Sequence, residues 1–128
     1  MTAASSVLIA DDDADIRALV AAVLTRAGFR AKAVDGGVPA LAADEPEIYV
    51  LDVRMPDMSG LEVCRQLKAA GTSNRPVLLI SAESSEADIA AAFAAGCDDY
   101  LPKPFRSSEL VRRVDLLLSR ADTERSAS

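Results

Sequence analysis

The sequence contains no histidine, and this absence removes several kinds of chemistry at once. Histidine titrates near neutral pH and is the commonest metal ligand, so acid–base catalysis by histidine and histidine metal centres are excluded. Tryptophan is also absent, and aromatic residues make up only 4% of the chain. Because 50% of the residues are nonetheless hydrophobic, we expect a core built from alanine, valine, leucine and isoleucine.

Positive charge and cysteine are scarce as well. The formal net charge is −6, and a nucleic-acid binder needs a basic surface, so we expect no direct binding of nucleic acid. Cys64 and Cys97 form no CxxC motif, which favours two buried, reduced thiols in a cytoplasmic protein. No apolar run approaches the roughly 18 residues of a membrane span, and the N-terminus lacks the basic region of a signal peptide.

The alternation of short apolar runs with helical patterns predicts the fold class. We assign one domain to residues 1–120 and a polar C-terminal tail, expected to fray, to residues 121–128. The predicted strands are Val7–Ala10, Phe29–Val34 (near an edge), Ile48–Leu51, Val77–Ile80 and Asp98–Leu101. The predicted helices are Ile16–Leu24 with a stop at Gly28, a weak one at Val38–Ala43, Gly60–Gly71, Ser84–Ala95 and Ser107–Arg120. Such alternation is typical of an α/β protein whose parallel sheet is covered by helices on both faces.

Residues 48–60, IYVLDVRMPDMSG, are the most informative stretch of the chain. Four apolar residues lead directly to Asp52, and Pro56 prevents the strand from continuing. Asp52 is therefore predicted at the carboxyl end of a buried strand, the edge where ligands bind in open α/β sheets. Taken alone, Asp52 is equally well explained as a turn residue that ends the strand.

Other strand ends supply chemical partners for Asp52. Asp11 and Asp12 follow the first strand, Ser81 follows the fourth, and Lys103 lies just beyond the fifth. Three adjacent carboxylates repel one another unless a cation neutralises them, and oxygen ligands suit a hard ion such as Mg²⁺. A lysine and a hydroxyl complete the set that stabilises a phosphoryl group in transfer. Asp52 can then attack directly and form an acyl phosphate.

The candidate site residues also have simpler interpretations. Lys103 alone is most often a solvated surface lysine, and Ser81 alone is most often a helix cap. Tyr100, which lies near the end of the fifth predicted strand, is more often a packing residue. We assign Asp13 and Asp15 to helix capping or to the solvated surface. Asp57 is assigned to the turn before a helix and not to the metal site.

Four segments of the chain together resemble the receiver domain of bacterial two-component response regulators. They are residues 8–12 (LIADD), 51–60 (LDVRMPDMSG), 81–82 (SA) and 100–105 (YLPKPF), and the resemblance extends from Val7 to Ser119. It implies the fold of the chemotaxis regulators: a flavodoxin-like (βα)5 doubly wound parallel sheet of five strands in the order 2-1-3-4-5. It also implies that residues 1–120 are a receiver domain.

The resemblance implies a role for each carboxylate. Asp52 would be the phosphoacceptor, taking its phosphoryl group from a sensor histidine kinase or a phosphotransfer protein. Asp11, Asp12, Asp52 and the main-chain carbonyl of Arg54 would hold Mg²⁺. No other cofactor is implied.

The resemblance also implies a switch. Lys103 would pair with the carboxylate or the phosphate, and its bond to Pro104 would be cis. Ser81, where many family members have threonine, would donate its hydroxyl to a phosphate oxygen. Tyr100 would change rotamer as Ser81 moves. The surface near the last two helices would then change and control a downstream effector protein or domain.

We weigh this switch, which catalyses only its own phosphorylation and autodephosphorylation, against three alternatives. A magnesium-dependent phosphohydrolase with an aspartyl-phosphate intermediate would want an acid two residues after its nucleophile, where this chain has Arg54. A flavodoxin-like cofactor binder would need a phosphate-binding loop after the first strand, where three aspartates stand. A degenerate receiver used only for docking would not need the full set of site residues.

Two further expectations concern surfaces. Arg54 and Glu83 are predicted to pair over the site and to hinder the water that hydrolyses the acyl phosphate. Asp99 and Arg113 are predicted to form a charged pair of the kind that joins receiver dimers through their last two helices. The alanine-rich fourth helix lacks the basic partner of that pattern, so we expect its small-residue face to dock a partner protein instead.

Overall fold

The computed structural model describes residues 4–69 and 73–127, in which five strands alternate with five helices. The strands are β1 (Ser6–Ala10), β2 (Arg30–Val34), β3 (Ile48–Asp52), β4 (Val77–Ser81) and β5 (Asp99–Pro102). The helices are α1 (Ala14–Arg26), α2 (Gly37–Ala42), α3 (Gly60–Lys68), α4 (Glu86–Ala94) and α5 (Ser107–Ala127). No helix among these residues is long and apolar enough to cross a membrane.

The sheet has five parallel strands in the order β2-β1-β3-β4-β5, which confirms the predicted fold class. Every residue of β3 and β4 is buried, as expected for continuous apolar runs in a parallel sheet. β2 is an edge strand whose residues are all exposed or half-buried, in agreement with its predicted place near an edge. Because β3 lies in the middle of the sheet, Asp52 at its end is flanked by the ends of β1 and β4.

Two cores, one on each face of the sheet, follow from the two-residue repeat of the strands. Leu8, Tyr49, Leu51 and Leu79 face α2, α3 and α4. Their sequence neighbours point to the opposite face and pack against α1 and α5; among them are Ile9, Val50, Leu78 and Ile80. The sheet therefore forms a rigid middle layer whose strand ends carry the polar residues.

The starts of three helices are fixed by side-chain caps. Asp13 accepts the main-chain N–H groups of Asp15 and Ile16 at the start of α1, as predicted, while Ser59 caps α3 and Ser85 caps α4. Gly28 follows α1 with φ of 101°, a conformation that favours glycine and ends the helix there. The predicted stop of α3 at Gly71 lies outside the described residues.

The end of α5 differs from the prediction. The helix continues through residues 121–127 to Ala127, where a fraying tail was expected. These residues contain no glycine or proline, and alanine, glutamate and arginine are good helix formers, so their polarity does not end the helix. Ser128 lies outside the described residues.

Two large apolar residues of these helices are exposed. Leu19 on α1 and Phe93 on α4 are 50% and 47% exposed, whereas the buried residues are Val20 and Leu24 on α1 and Ala92 on α4. Apolar periodicity, which groups Leu19 with Val20 and Leu24 and groups Phe93 with Ile89, therefore overstates the buried face of α1 and misplaces that of α4. Together with the exposed Ala90 and Ala91, Phe93 leaves α4 with an apolar outer surface.

Candidate functional site

The carboxyl ends of β1 and β3 bring three acids together. Asp11 directly follows β1, Asp52 is the last residue of β3, and both are buried, while Asp12 is exposed. One carboxylate oxygen from each of the three residues lies within 4.8 Å of the other two. The predicted cluster therefore exists, with one solvent-facing member.

Lys103 lies between two of these acids. Its Nζ atom is 3.3 Å from Oδ1 of Asp52 and 3.5 Å from Oδ2 of Asp11. The main-chain N–H of Lys103 donates to the carbonyl of Ser81 at 2.8 Å, so the segment after β5 is fixed to the end of β4. The peptide bond between Lys103 and Pro104 is cis, as the resemblance implied.

The electrostatics of the cluster favour a further cation. Burial raises the pKa of Asp52, and the neighbouring Asp11 raises it further, while Lys103 opposes both effects. A single ammonium group facing three carboxylates leaves an excess of negative charge. A donor set made only of carboxylate oxygens, with one member open to solvent, fits a hard divalent cation that keeps part of its water shell.

Two hydrogen bonds that involve main-chain groups hold Asp11 in place, and neither is predicted from the sequence. Oδ1 of Asp11 accepts the N–H of Asp13 at 2.9 Å. The guanidinium of Arg17, one turn into α1, donates to the main-chain carbonyl of Asp11 at 2.9 Å. No feature of the sequence marks Arg17, because its partner is a backbone oxygen that every residue carries.

The loop from β3 to α3 packs tightly against Asp52. The N–H of Gly60 donates to the carbonyl of Val53 at 2.9 Å, and a Cβ at Gly60 would collide with the main-chain oxygen of Asp52. Asp57 lies in this turn, as predicted, and accepts three main-chain N–H groups, including those of Gly37 and Val38 in α2. These bonds, chiefly those from α2, lower the pKa of Asp57.

Ser81 and Tyr100 meet at the residue Glu83. Oγ of the buried Ser81 accepts the N–H of Glu83 at 3.0 Å. The ring of Tyr100 is buried, and its hydroxyl donates to the main-chain carbonyl of Glu83. Tyr100 thus lies behind the site and reaches it through the segment that joins β4 to α4.

The site opens to solvent through a small cleft. The cleft has a volume of about 210 Å³ and is lined by Asp52, Arg54, Ser81, Ala82, Glu83 and Lys103. Arg54 and Glu83 form an ion pair there, which confirms the predicted contact. The cleft therefore contains the proposed acceptor, the lysine and the hydroxyl, with a charged pair at its rim.

Asp99 and Arg113, predicted as a pair of the kind that joins receiver dimers, instead form an ion pair within one chain. Nη1 of Arg113 lies 3.0 Å from Oδ1 of Asp99 and also donates to the carbonyl of Tyr100, while Nε donates to Glu109 at 2.8 Å. Arg113 thereby fastens α5 to β5 in a single copy of the protein.

Comparison with known proteins identifies the family. The family model for the response regulator receiver domain matches residues 7–115. The chain belongs to this family. Receiver domains are signalling modules of two-component systems, and the match does not favour the phosphohydrolase alternative.

Individual relatives agree with this assignment of the receiver domain. Response regulator MprA of Mycobacterium bovis (strain BCG / Pasteur 1173P2) is 42% identical over 124 residues, which are 94% of this chain and 54% of MprA. MprA of Mycobacterium avium (strain 104) is 42% identical over 121 residues, 92% of this chain and 53% of that protein. The chain therefore spans about half the length of the curated relatives it matches.

Solved structures share the fold of this receiver domain. The receiver domain of the Francisella response regulator 1452 superposes with a TM-score of 0.85 at 31% identity, covering 91% of this chain and 98% of that one. Response regulator DrrB, a Thermotoga maritima OmpR/PhoB homolog, gives a TM-score of 0.83 at 34% identity, covering 91% and 54%. The predicted fold is thus confirmed, and the structure brings together all the predicted site residues, with Tyr100 behind them.

Proposed function

We propose that this receiver domain is a phosphorylation-dependent switch in which Asp52 is the phosphoacceptor. The observation that supports it best is Lys103 held within 3.5 Å of both Asp52 and Asp11, inside a cluster of three carboxylates. The phosphoryl donor is a phosphohistidine on a sensor histidine kinase or a phosphotransfer protein in the cytoplasm. The output is a downstream effector protein or domain, reached through the surface near α4 and α5.

In the proposed transfer, a carboxylate oxygen of Asp52 attacks phosphorus and the bond from phosphorus to the histidine nitrogen breaks. Lys103 provides a positive charge beside the oxygens of the transferring group. Asp11, Asp12, Asp52 and the carbonyl of Arg54 would hold Mg²⁺, which when bound neutralises the negative charge that gathers on the phosphoryl oxygens. Attack of water on phosphorus then breaks the bond to the Asp52 oxygen and releases inorganic phosphate and the free carboxylate.

Ser81 responds to phosphorylation by forming a new hydrogen bond. A serine hydroxyl has one proton to donate and two lone pairs, so Ser81 can keep the N–H of Glu83 as its donor and give its own proton to a phosphoryl oxygen. This new contact favours one of two conformations of the segment after β4. Because Tyr100 binds the carbonyl of Glu83 in that same segment, the change extends to the surface between α4 and α5.

Incubation with acetyl phosphate and Mg²⁺, followed by intact mass spectrometry, tests this proposal. The wild type should gain one phosphoryl group, and the gain should vanish in Asp52→Asn and when the metal is chelated. Asp35→Asn, which removes an exposed acid outside the cluster, should still be phosphorylated. An unmodified wild type would favour the docking-module alternative.

A further inference from the structure

The carboxylate of Asp57 joins two segments that are distant in sequence. Oδ1 of Asp57 accepts the N–H of Gly37 at 3.0 Å and that of Met58 at 2.8 Å, while Oδ2 accepts the N–H of Val38 at 2.8 Å. Gly37 and Val38 form the start of α2, whereas Asp57 belongs to the loop after β3. Two of these three charge-assisted bonds connect the loop to α2, and the third, from Met58, lies within the loop.

The space for this carboxylate is provided by Gly36. A Cβ at Gly36 would lie 2.6 Å from Oδ2 and 2.7 Å from Oδ1 of Asp57. Gly36 has φ of −172°, an extended conformation open to any residue, so the need for glycine here is steric. A side chain at this position would displace Asp57 without straining the backbone of Gly36.

The loop is fixed on both sides of Arg54. Before Arg54, the carbonyl of Val53 accepts the N–H of Gly60. After Arg54, the buried Met55 packs into the core and Asp57 is bonded to α2. The side chain of Arg54 is 79% exposed and pairs with Glu83 at the rim of the cleft, so the main chain of this residue is positioned chiefly by its neighbours in the loop.

We propose that Asp57 is a positioning residue for the metal site: its bonds to the start of α2 hold the loop so that the carbonyl of Arg54 faces the three acids. This inference rests on the proposed function, in which that carbonyl is a ligand. Each loop residue has two soft dihedral angles, so a carbonyl that must meet a metal needs its segment fixed from outside. Outer groups that orient metal ligands commonly change metal affinity when they are removed.

Isothermal titration with Mg²⁺, in the absence of any phosphoryl donor, measures this effect directly. Asp57→Ala removes the acceptor, and Gly36→Ala pushes the same acceptor away from α2. Both variants should weaken Mg²⁺ binding by about 3- to 10-fold, less than the roughly 10- to 100-fold typical of groups bonded directly to a ligand. Asp57→Asn, which keeps one carbonyl acceptor, should give an intermediate loss.

Asp35→Asn is the matched control, because Asp35 is an exposed acid next to Gly36 and its removal changes the local charge equally. Its Mg²⁺ affinity should equal that of the wild type. Circular dichroism confirms folding of each variant, and Gly36→Ala and Asp57→Asn serve as the test if Asp57→Ala does not fold. Hydrogen exchange should rise in residues 53–58 of the affected variants in the absence of metal.

Lower thermal stability of folded Asp57 and Gly36 variants with unchanged Mg²⁺ affinity would overturn the proposal and leave Asp57 a structural cap. In that case the wild type still binds Mg²⁺, and the proposed function stands. A wild type that binds no Mg²⁺ would instead overturn both.

Discussion

Arg54 and Glu83 form an ion pair across the rim of the cleft that contains Asp52. The two residues occupy equivalent places, each two residues beyond a strand end that carries a functional side chain. Under the proposed function, we expect this ion pair to hinder the water molecule that hydrolyses a phosphoryl group on Asp52.

Arg54→Ala should shorten the half-life of the phosphorylated protein. Exposed ion pairs contribute about 0.2–1 kcal/mol, so an acceleration of roughly 1.4-fold to fivefold is expected. The decay is followed by intact mass after removal of acetyl phosphate. Arg65→Ala, which breaks an exposed pair with Glu62 on α3, is the control and should leave the half-life unchanged. Equal half-lives for Arg54→Ala and wild type would refute this role.

Tyr100→Phe removes the hydrogen bond to the carbonyl of Glu83 and leaves the buried ring in place. The free energy of unfolding should fall by about 1 kcal/mol, and amide exchange should increase in residues 82–85. Urea denaturation measures the first effect and mass-resolved hydrogen exchange the second. Unaltered exchange in this segment would show that Tyr100 does not hold it.

The buried strands and the clustering of the site residues are predictable from the sequence, because both depend on the chemical identity of side chains. Runs such as Val77–Ile80 identify buried strands, and parallel topology brings Asp11, Asp52 and Ser81 to one edge of the sheet. The unforeseen contacts use backbone groups, as in the bonds from Arg17 to Asp11 and from α2 to Asp57. Backbone groups are the same in every residue, so no sequence pattern marks them.

Two further differences between prediction and structure concern the buried faces of the helices and the end of α5. Periodicity groups the apolar residues of a helix, but which of them are buried depends on neighbouring elements. This is why Leu19 and Phe93 are exposed. The end of α5 lies beyond the predicted helix because polarity alone does not end a helix, and residues 121–127 contain no glycine or proline.

Asp52→Asn should stabilise the metal-free protein at pH 7. The pKa of Asp52 is raised from its ordinary value of 3.8 by burial and by Asp11, so the folded state binds this proton more tightly than the unfolded chain. The contribution of Asp52 is therefore most favourable below pH 3.8 and declines as the pH rises through the raised pKa. Urea denaturation of both proteins between pH 3 and 8, with chelator, follows this difference.

With Mg²⁺ present, the wild type should instead be more stable than Asp52→Asn. A ligand that binds only the folded state adds about 2.7 kcal/mol at a concentration one hundred times its Kd, and Asp52→Asn has lost one carboxylate ligand. Thermal unfolding with and without Mg²⁺ tests this. A variant that is less stable than wild type without metal would contradict the electrostatic account of the site.

The two cysteines should be inert in the folded protein. Burial raises the pKa of Cys64 to about 11 and that of Cys97 to about 12, and only the thiolate is reactive. At pH 8, a disulfide reagent such as Ellman's should react at least about 100-fold more slowly with native protein than with protein unfolded in urea. Rapid labelling of one thiol under native conditions would show that its surroundings open.

The contact between Gly60 and the main chain of Asp52 makes the surroundings of this proposed phosphoacceptor unequal on its two sides. Towards α3, the backbone is closed by this contact and by the bond from Gly60 to Val53, so there is no room for displacement. Towards α4, the segment at Glu83 is held by Ser81 and Tyr100 through single hydrogen bonds, which can be exchanged without repacking the core. Under the proposed function, a phosphoryl group on Asp52 should therefore displace the segment towards α4 more readily than the backbone towards α3.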